Sequence, residues 1–135
     1  MRAFLDASAW VALADVRDIR AERMRRIMSE LRLQRAQFAT TTWTLYEALA
    51  VTQRGGKGLS IDLHRRALRI ARVERVPFEI ERQALRRFLD WTDKWASVVD
   101  HANILVAQRL SCDAVVSFDA DFVPLAGGAG IELLR

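Results

Sequence analysis

The sequence contains one cysteine, Cys112, in 135 residues. No intramolecular disulfide can form, and no multi-cysteine zinc or iron–sulfur site can be built. A reducing compartment is the simple expectation. Histidine is nearly as scarce: His64 and His101 show no metal-ligand spacing and read as incidental. Long hydrophobic runs are missing too, and nothing approaches the roughly 18 uninterrupted apolar residues of a membrane-crossing helix. The apolar stretch at residues 1–16 is cut by Asp6 and Asp15, which argues against an export signal. A cytoplasmic protein with no membrane partner is expected. Repeats, low-complexity tracts and linkers are absent.

What remains is a foldable chain. Apolar residues make up 51% and charged residues 28%, outside the range of disordered or fibrous chains. This length suits one domain, residues 1–135, with a core large enough to need no staples. The net charge is +4, and arginine greatly outnumbers lysine. A guanidinium fork matches phosphate oxygens well, so an anionic partner is favoured over a merely solvated basic surface.

Apolar spacing predicts strands at Arg2–Leu5, Gln37–Thr41, Glu74–Phe78, Ala114–Ser117 and Ile131–Leu134. Helices are expected over residues 9–14, 19–35, 61–73, 79–91 and 98–110. Another opens at Thr42 and stops at Arg54-Gly55-Gly56. Pro77 puts the third strand at an edge or an end. Strands alternating with helices define an α/β fold with a mainly parallel central sheet of about five strands flanked by helices.

In such sheets ligands bind beyond the carboxyl ends of the strands, near the topological switch point. Asp6 follows the first strand and Asp119 the fourth, so the two share a crevice if those strands are neighbours. Glu47 and Asp100 are acids in otherwise weakly polar helices, Asp100 near the start of the most apolar one. Each has a bland reading: a cap for Asp6 or Asp119, a first-turn acid for Asp100, a pairing with Arg54 or a place on an exposed edge for Glu47. All four together are harder to dismiss. Clustered carboxylates raise one another's pKa unless a cation intervenes. All-oxygen donors suit Mg²⁺ or Mn²⁺ rather than a zinc cage. One or two such ions can clamp a phosphodiester and activate water, with no histidine base required. Removing four negative charges from a net of +4 leaves +8 on the rest of the chain. A negative pocket on a basic body suits a nuclease.

The order Asp6, Glu47, Asp100, Asp119 resembles the PIN domain, and within it the VapC-type toxins of bacterial toxin–antitoxin pairs. The resemblance runs along essentially the whole chain. It rests on Leu5-Asp6-Ala7-Ser8, Thr44 to Glu47, Ser97-Val98-Val99-Asp100 and Ser117-Phe118-Asp119-Ala120-Asp121-Phe122. The Ser-x-x-Asp helix start and the Ser-Phe-Asp-x-x-Phe stretch are the more specific. The resemblance implies a Mg²⁺- or Mn²⁺-dependent endoribonuclease acting on single-stranded or structured RNA. Asp6 and Asp100 would be the principal ligands, and Glu47 and Asp119 would complete the pocket. Asp121 would be auxiliary at best, and Ser8 and Ser117 would orient carboxylates. His101 departs from the family's usual alanine. Homodimers and a small cognate antitoxin are also implied.

Two other readings compete. The same fold can hold RNA or protein without cutting, as a non-catalytic PIN-like module. An aspartate-nucleophile phosphatase resembling the haloacid dehalogenase family needs a second Asp where this chain has Ser8. The glycines at 55, 56 and 58 lack the context of a phosphate loop and read as a helix stop. The four tryptophans are expected to pack in a core or an interface rather than to stack on bases, and Cys112 to be a buried small apolar residue.

Overall fold

The computed structural model describes residues 1–92 and 95–135. Among them, five parallel strands form one sheet, β1 (Arg2–Leu5), β2 (Gln37–Thr41), β3 (Ala71–Glu74), β4 (Ala114–Val116) and β5 (Glu132–Leu134), in the order β3-β2-β1-β4-β5. The chain builds outward from β1 through β2 to β3, then returns to place β4 on the other side. The switch point therefore lies between β1 and β4, whose registers pair Ala3 with Ala114 and Leu5 with Val116.

Strand side chains alternate between faces, and both faces of this sheet are covered. Ala3, Leu5, Ala114 and Val116 point into a core shared with α1 (Ala7–Ala14), α2 (Ala21–Leu33), α3 (Thr42–Thr52) and α4 (Lys57–Ile70). Phe4, Ala39 and Val115 point the other way, against α5 (Phe78–Asp90), α6 (Val98–Arg109) and α7 (Phe122–Ala129). Trp10 fills the first core with no exposed surface, its indole N–H donating to Thr40 Oγ1 at 3.1 Å. A buried side chain of this kind contributes roughly 1.5–3 kcal/mol through removal of apolar area from water. Cys112 is buried as expected, and burial pushes its thiol up to about 11, so it stays protonated and inert.

Several expectations need correction. The fourth helix ends at Ile70, not residue 73, and the third strand is Ala71–Glu74 rather than Glu74–Phe78. Phe38–Thr41 pairs with Ala71–Glu74 and draws those residues out of an arginine-rich helical pattern. Pro77 lies past that edge strand, at the N-cap of α5. Residues 122–129, assigned to no element by pattern, form α7. Pro124 sits in its first turn, where a missing N–H is tolerated, and Gly130 ends it at φ 68°. Of the tryptophans only Trp10 lies fully in a core; Trp43 and Trp91 are half-buried and Trp95 is 67% exposed. The helix stop at Gly55-Gly56 holds, through a single 3-10 turn and a glycine at φ 110°.

Among the described residues, no helix is long and apolar enough to cross a membrane.

Candidate metal centre

Asp6 is the first residue beyond β1. Its backbone N–H still donates to Val116 of β4, so the end of the sheet fixes its Cα. The side chain is only 4% exposed and is held by three donors. Ser117 Oγ donates to Oδ2 at 2.9 Å, Ser8 Oγ to the same oxygen at 3.2 Å, and Asn103 Nδ2 to Oδ1 at 3.2 Å. Burial raises its pKa, against the pull of the Ala7 amide, Ser117 and Ser8. Ser8 also accepts the Phe118 N–H at 2.9 Å, tying the start of α1 to the loop after β4.

Asp100 occupies the third position of α6. Ser97 and Asp100 form a reciprocal capping box: Asp100 N–H donates to Ser97 Oγ at 3.1 Å, and Ser97 N–H to Asp100 Oδ2 at 2.8 Å. The bland reading of a first-turn acid is therefore correct, and it leaves Oδ1 for other work. The Asp100 carboxyl is pushed up to about 7, first by burial, then by the negative charges of Asp6, Asp119 and Glu47, with the Ser97 amide opposing.

Glu47 projects from α3 as an exposed residue whose carboxyl faces the same hollow. Partial desolvation and then the charges of Asp6 and Asp119 raise its pKa. Among the described residues it forms no ion pair with Arg54. Asp119 follows β4, its N–H donating to Ser117 Oγ at 3.2 Å and its Oδ1 accepting from Asp121 N at 3.0 Å.

The structure thus brings all four acids together. Asp6, Glu47, Asp100 and Asp119 line one cavity of about 250 Å³, with Ser8, Val11, Val51 and Arg20. Carboxylate oxygens of Asp100, Asp119 and Asp121 also lie within 4.8 Å of one another. Asp121, expected to be auxiliary at best, belongs to this tightest group, and Asp6 does not. Asp100 and Asp119 belong to both sets, the four acids of the cavity and the three-carboxylate group.

Asn103 was not recognised from sequence. It lies at i+3 from Asp100, on the same face of α6, with no exposed surface. Its Oδ1 accepts from Thr44 Oγ1 at 2.7 Å and Thr41 Oγ1 at 3.4 Å, while its amide donates to Asp6. Two buried hydroxyls thereby fix the amide that orients the first acid. A polar amide in the most apolar helix, one turn beyond the acid, was the available signal. His101, the residue after Asp100, packs edge-on against Trp91 at 5.0 Å.

Residues 3–128 match the PIN domain family, and the chain belongs to it. Among solved structures it is similar to VapC20 of Mycobacterium tuberculosis, a sarcin–ricin loop cleaving toxin. The TM-score is 0.79 at 25% identity, over 96% of this chain and 95% of that one. No curated protein matches the chain.

Proposed function

We propose that this PIN-domain protein is a Mg²⁺- or Mn²⁺-dependent endoribonuclease and the toxin of a toxin–antitoxin pair, acting in the cytoplasm as a homodimer held in check by a small cognate antitoxin. The observation that carries the reading is the convergence of Asp6, Glu47, Asp100 and Asp119 on one cavity at the carboxyl end of the sheet. The similarity to VapC20 supports RNA as the substrate class.

The residues suit a hard divalent ion. Every donor is an oxygen, and two of the acids are buried and raised in pKa, Asp100 partly by its neighbours' charge. Such an environment favours either a proton or a cation on the carboxylates. Asp6, Glu47, Asp100 and Asp119 would hold the ion, with Asp121 close enough to join through Asp119. A bound ion of this class acidifies water and offsets charge on the attacked phosphate. The chain's own part is to aim the oxygens. Ser117, Ser8 and Asn103 fix the rotamer of Asp6, and Ser97 fixes that of Asp100. The basic remainder of the chain attracts the RNA backbone.

The test uses the full chain and a fluorescent single-stranded oligoribonucleotide. Cleavage is expected with Mg²⁺ or Mn²⁺, is expected to stop on chelation, and to be lost in Asp6→Asn and Asp100→Asn variants that keep a native circular dichroism spectrum. Undiminished cutting by both folded variants overturns the reading. RNA binding without turnover in either metal would instead make the protein a non-catalytic binding module.

A further inference from the structure

Among the described residues lining the cavity, one is a cation. Arg20 lines the same cavity as Asp6, Glu47, Asp100 and Asp119, and it is the only Lys or Arg among the described lining residues. Its position is built. Asp18 accepts from Arg20 Nε at 2.9 Å and from Nη2 at 2.8 Å, a bidentate fork, and from the Arg20 backbone N–H at 2.8 Å. The guanidinium lies over the Phe118 ring, 5.5 Å from its centroid. Phe118 is itself pinned to Ser8 of the site and directly precedes Asp119. Fork and ring leave the guanidinium plane little freedom, so little entropy remains to be lost when it takes an anion.

A structural counter-ion for the acids would be expected to bond one of them. Arg20 bonds Asp18 outside the cluster, and it feels Asp6 only through space. Its other terminal nitrogen, Nη1, has no hydrogen-bond partner among the described residues. The side chain remains 35% exposed, open to a ligand entering from solvent. Two N–H groups on a fixed, partly open cation beside a negative pocket match the non-bridging oxygens of a phosphodiester.

We propose that Arg20 is a substrate-binding residue that holds a phosphate of the RNA strand at the mouth of the carboxylate pocket, with Asp18 and Phe118 as its positioning residues. This rests on the ribonuclease reading, and the experiment separates the two. Binding of a fluorescent single-stranded oligoribonucleotide is measured in Ca²⁺ across a salt series, and cleavage kinetics are measured in Mn²⁺. For Arg20→Gln the expected results are KM and Kd raised roughly tenfold, kcat within about threefold, and Mn²⁺ affinity not weakened. The slope of log K against log salt should fall by about 0.7, the loss of one phosphate contact on a single strand. Arg20→Lys, which keeps the charge without the fork, should recover part of the affinity and most of the salt slope. Asp18→Asn, which loosens the clamp, should raise KM by a smaller factor. An unchanged salt slope in Arg20→Gln with tightened Mn²⁺ binding would make Arg20 a counter-ion of the acids and overturn the proposal. If the native protein binds RNA in an Arg20-dependent way but never cuts it, the ribonuclease reading fails and the phosphate contact stands.

Discussion

The two ends of the sheet use similar residues for opposite purposes. At the amino end, the Arg2 backbone N–H donates to Asp113 Oδ2 at 2.8 Å, and the Asp113 N–H returns a bond to the Arg2 carbonyl at 2.8 Å. The Arg2 guanidinium bonds Gln37 Oε1 and the Leu110 carbonyl, tying β1 to β2 and to the end of α6. Donors and acceptors are matched there, in contact with water. At the carboxyl end, buried acids face one another, and Arg20, the one guanidinium among the described lining residues, bonds Asp18 rather than any of them. Hydroxyls and amides fix the directions of these carboxylates without neutralising them. The first end is built for stability. The second holds charge repulsion that is relieved only by protons or a cation, and it sits between two well-packed cores, with Trp10 buried in one and Phe122 in the other.

The widest gap between the ends should appear in activity. Asp6→Asn and Asp100→Asn are expected to lower RNA cleavage by at least about 100-fold, while thermal stability in EDTA stays equal or rises. Single-turnover cleavage and calorimetry on the same preparations check this. A large loss of stability in both variants would mean that these acids hold the fold together, and the contrast between the two ends would fail.

Asn103→Leu probes the scaffold behind the acids. It removes the amide from Asp6 and takes away the acceptor of the buried Thr44 hydroxyl, while Thr41 keeps its bonds to Thr44. The expected cost is about 1–3 kcal/mol of stability, with cleavage falling by roughly 10–100-fold. Urea denaturation and kcat with saturating RNA measure the two effects. If stability falls and kcat does not, Asn103 serves the core alone.

Proton linkage offers a third test. The folded-state pKa of Asp6 and of Asp100, the latter about 7, lies above the unfolded value of 3.8. Protonation of these groups therefore favours the folded state. The contribution of each is fully present below about pH 4 and is lost as pH rises through its folded-state pKa, about 7 for Asp100. His101, buried with its pKa lowered by desolvation and by Arg87, acts in the opposite sense below its ordinary value of 6.5. The difference between the native chain and Asp100→Asn cancels that opposing contribution. In EDTA, the native chain should lose about 2 kcal/mol relative to Asp100→Asn between pH 5 and pH 8. Added Mn²⁺ should shrink the loss. A difference independent of pH would show that Asp100 titrates normally.

How much of this was readable beforehand follows from the same contrast. Asp6, Glu47, Asp100 and Asp119 stood out because each is an acid in apolar or strand-end surroundings, where an ordinary solvated role is scarce. Asn103, Thr41 and Thr44 carry no charge and blend into helix and strand patterns, so their joint role appears only once α3 and α6 are side by side. Arg20 was hidden among the arginines of residues 19–35, most of which are solvated helix surface. Asp121 gained its place from the Asp119 turn, a local geometry that spacing does not encode. The misplaced third strand has the same origin. Residues 71–73 continue a helical rhythm, and only the partner strand Phe38–Thr41 converts them.

The smallest expected effect lies at the amino end. Arg2→Ala removes the bonds to Gln37 and the Leu110 carbonyl but leaves the backbone exchange with Asp113 in place. Water can replace the lost partners at this exposed edge, so the cost should be about 0.5–1 kcal/mol. Cleavage at saturating metal and RNA should stay within roughly twofold, because the strand lies between this end and the cavity and its hydrogen bonds are unchanged. Thermal denaturation and kcat on the same sample decide the matter. A kcat drop comparable to that of Asn103→Leu would show that strain at one end of β1 reaches Asp6 at the other, only four residues along the chain. The two ends would then form one coupled unit, and the division of labour drawn between them would not hold.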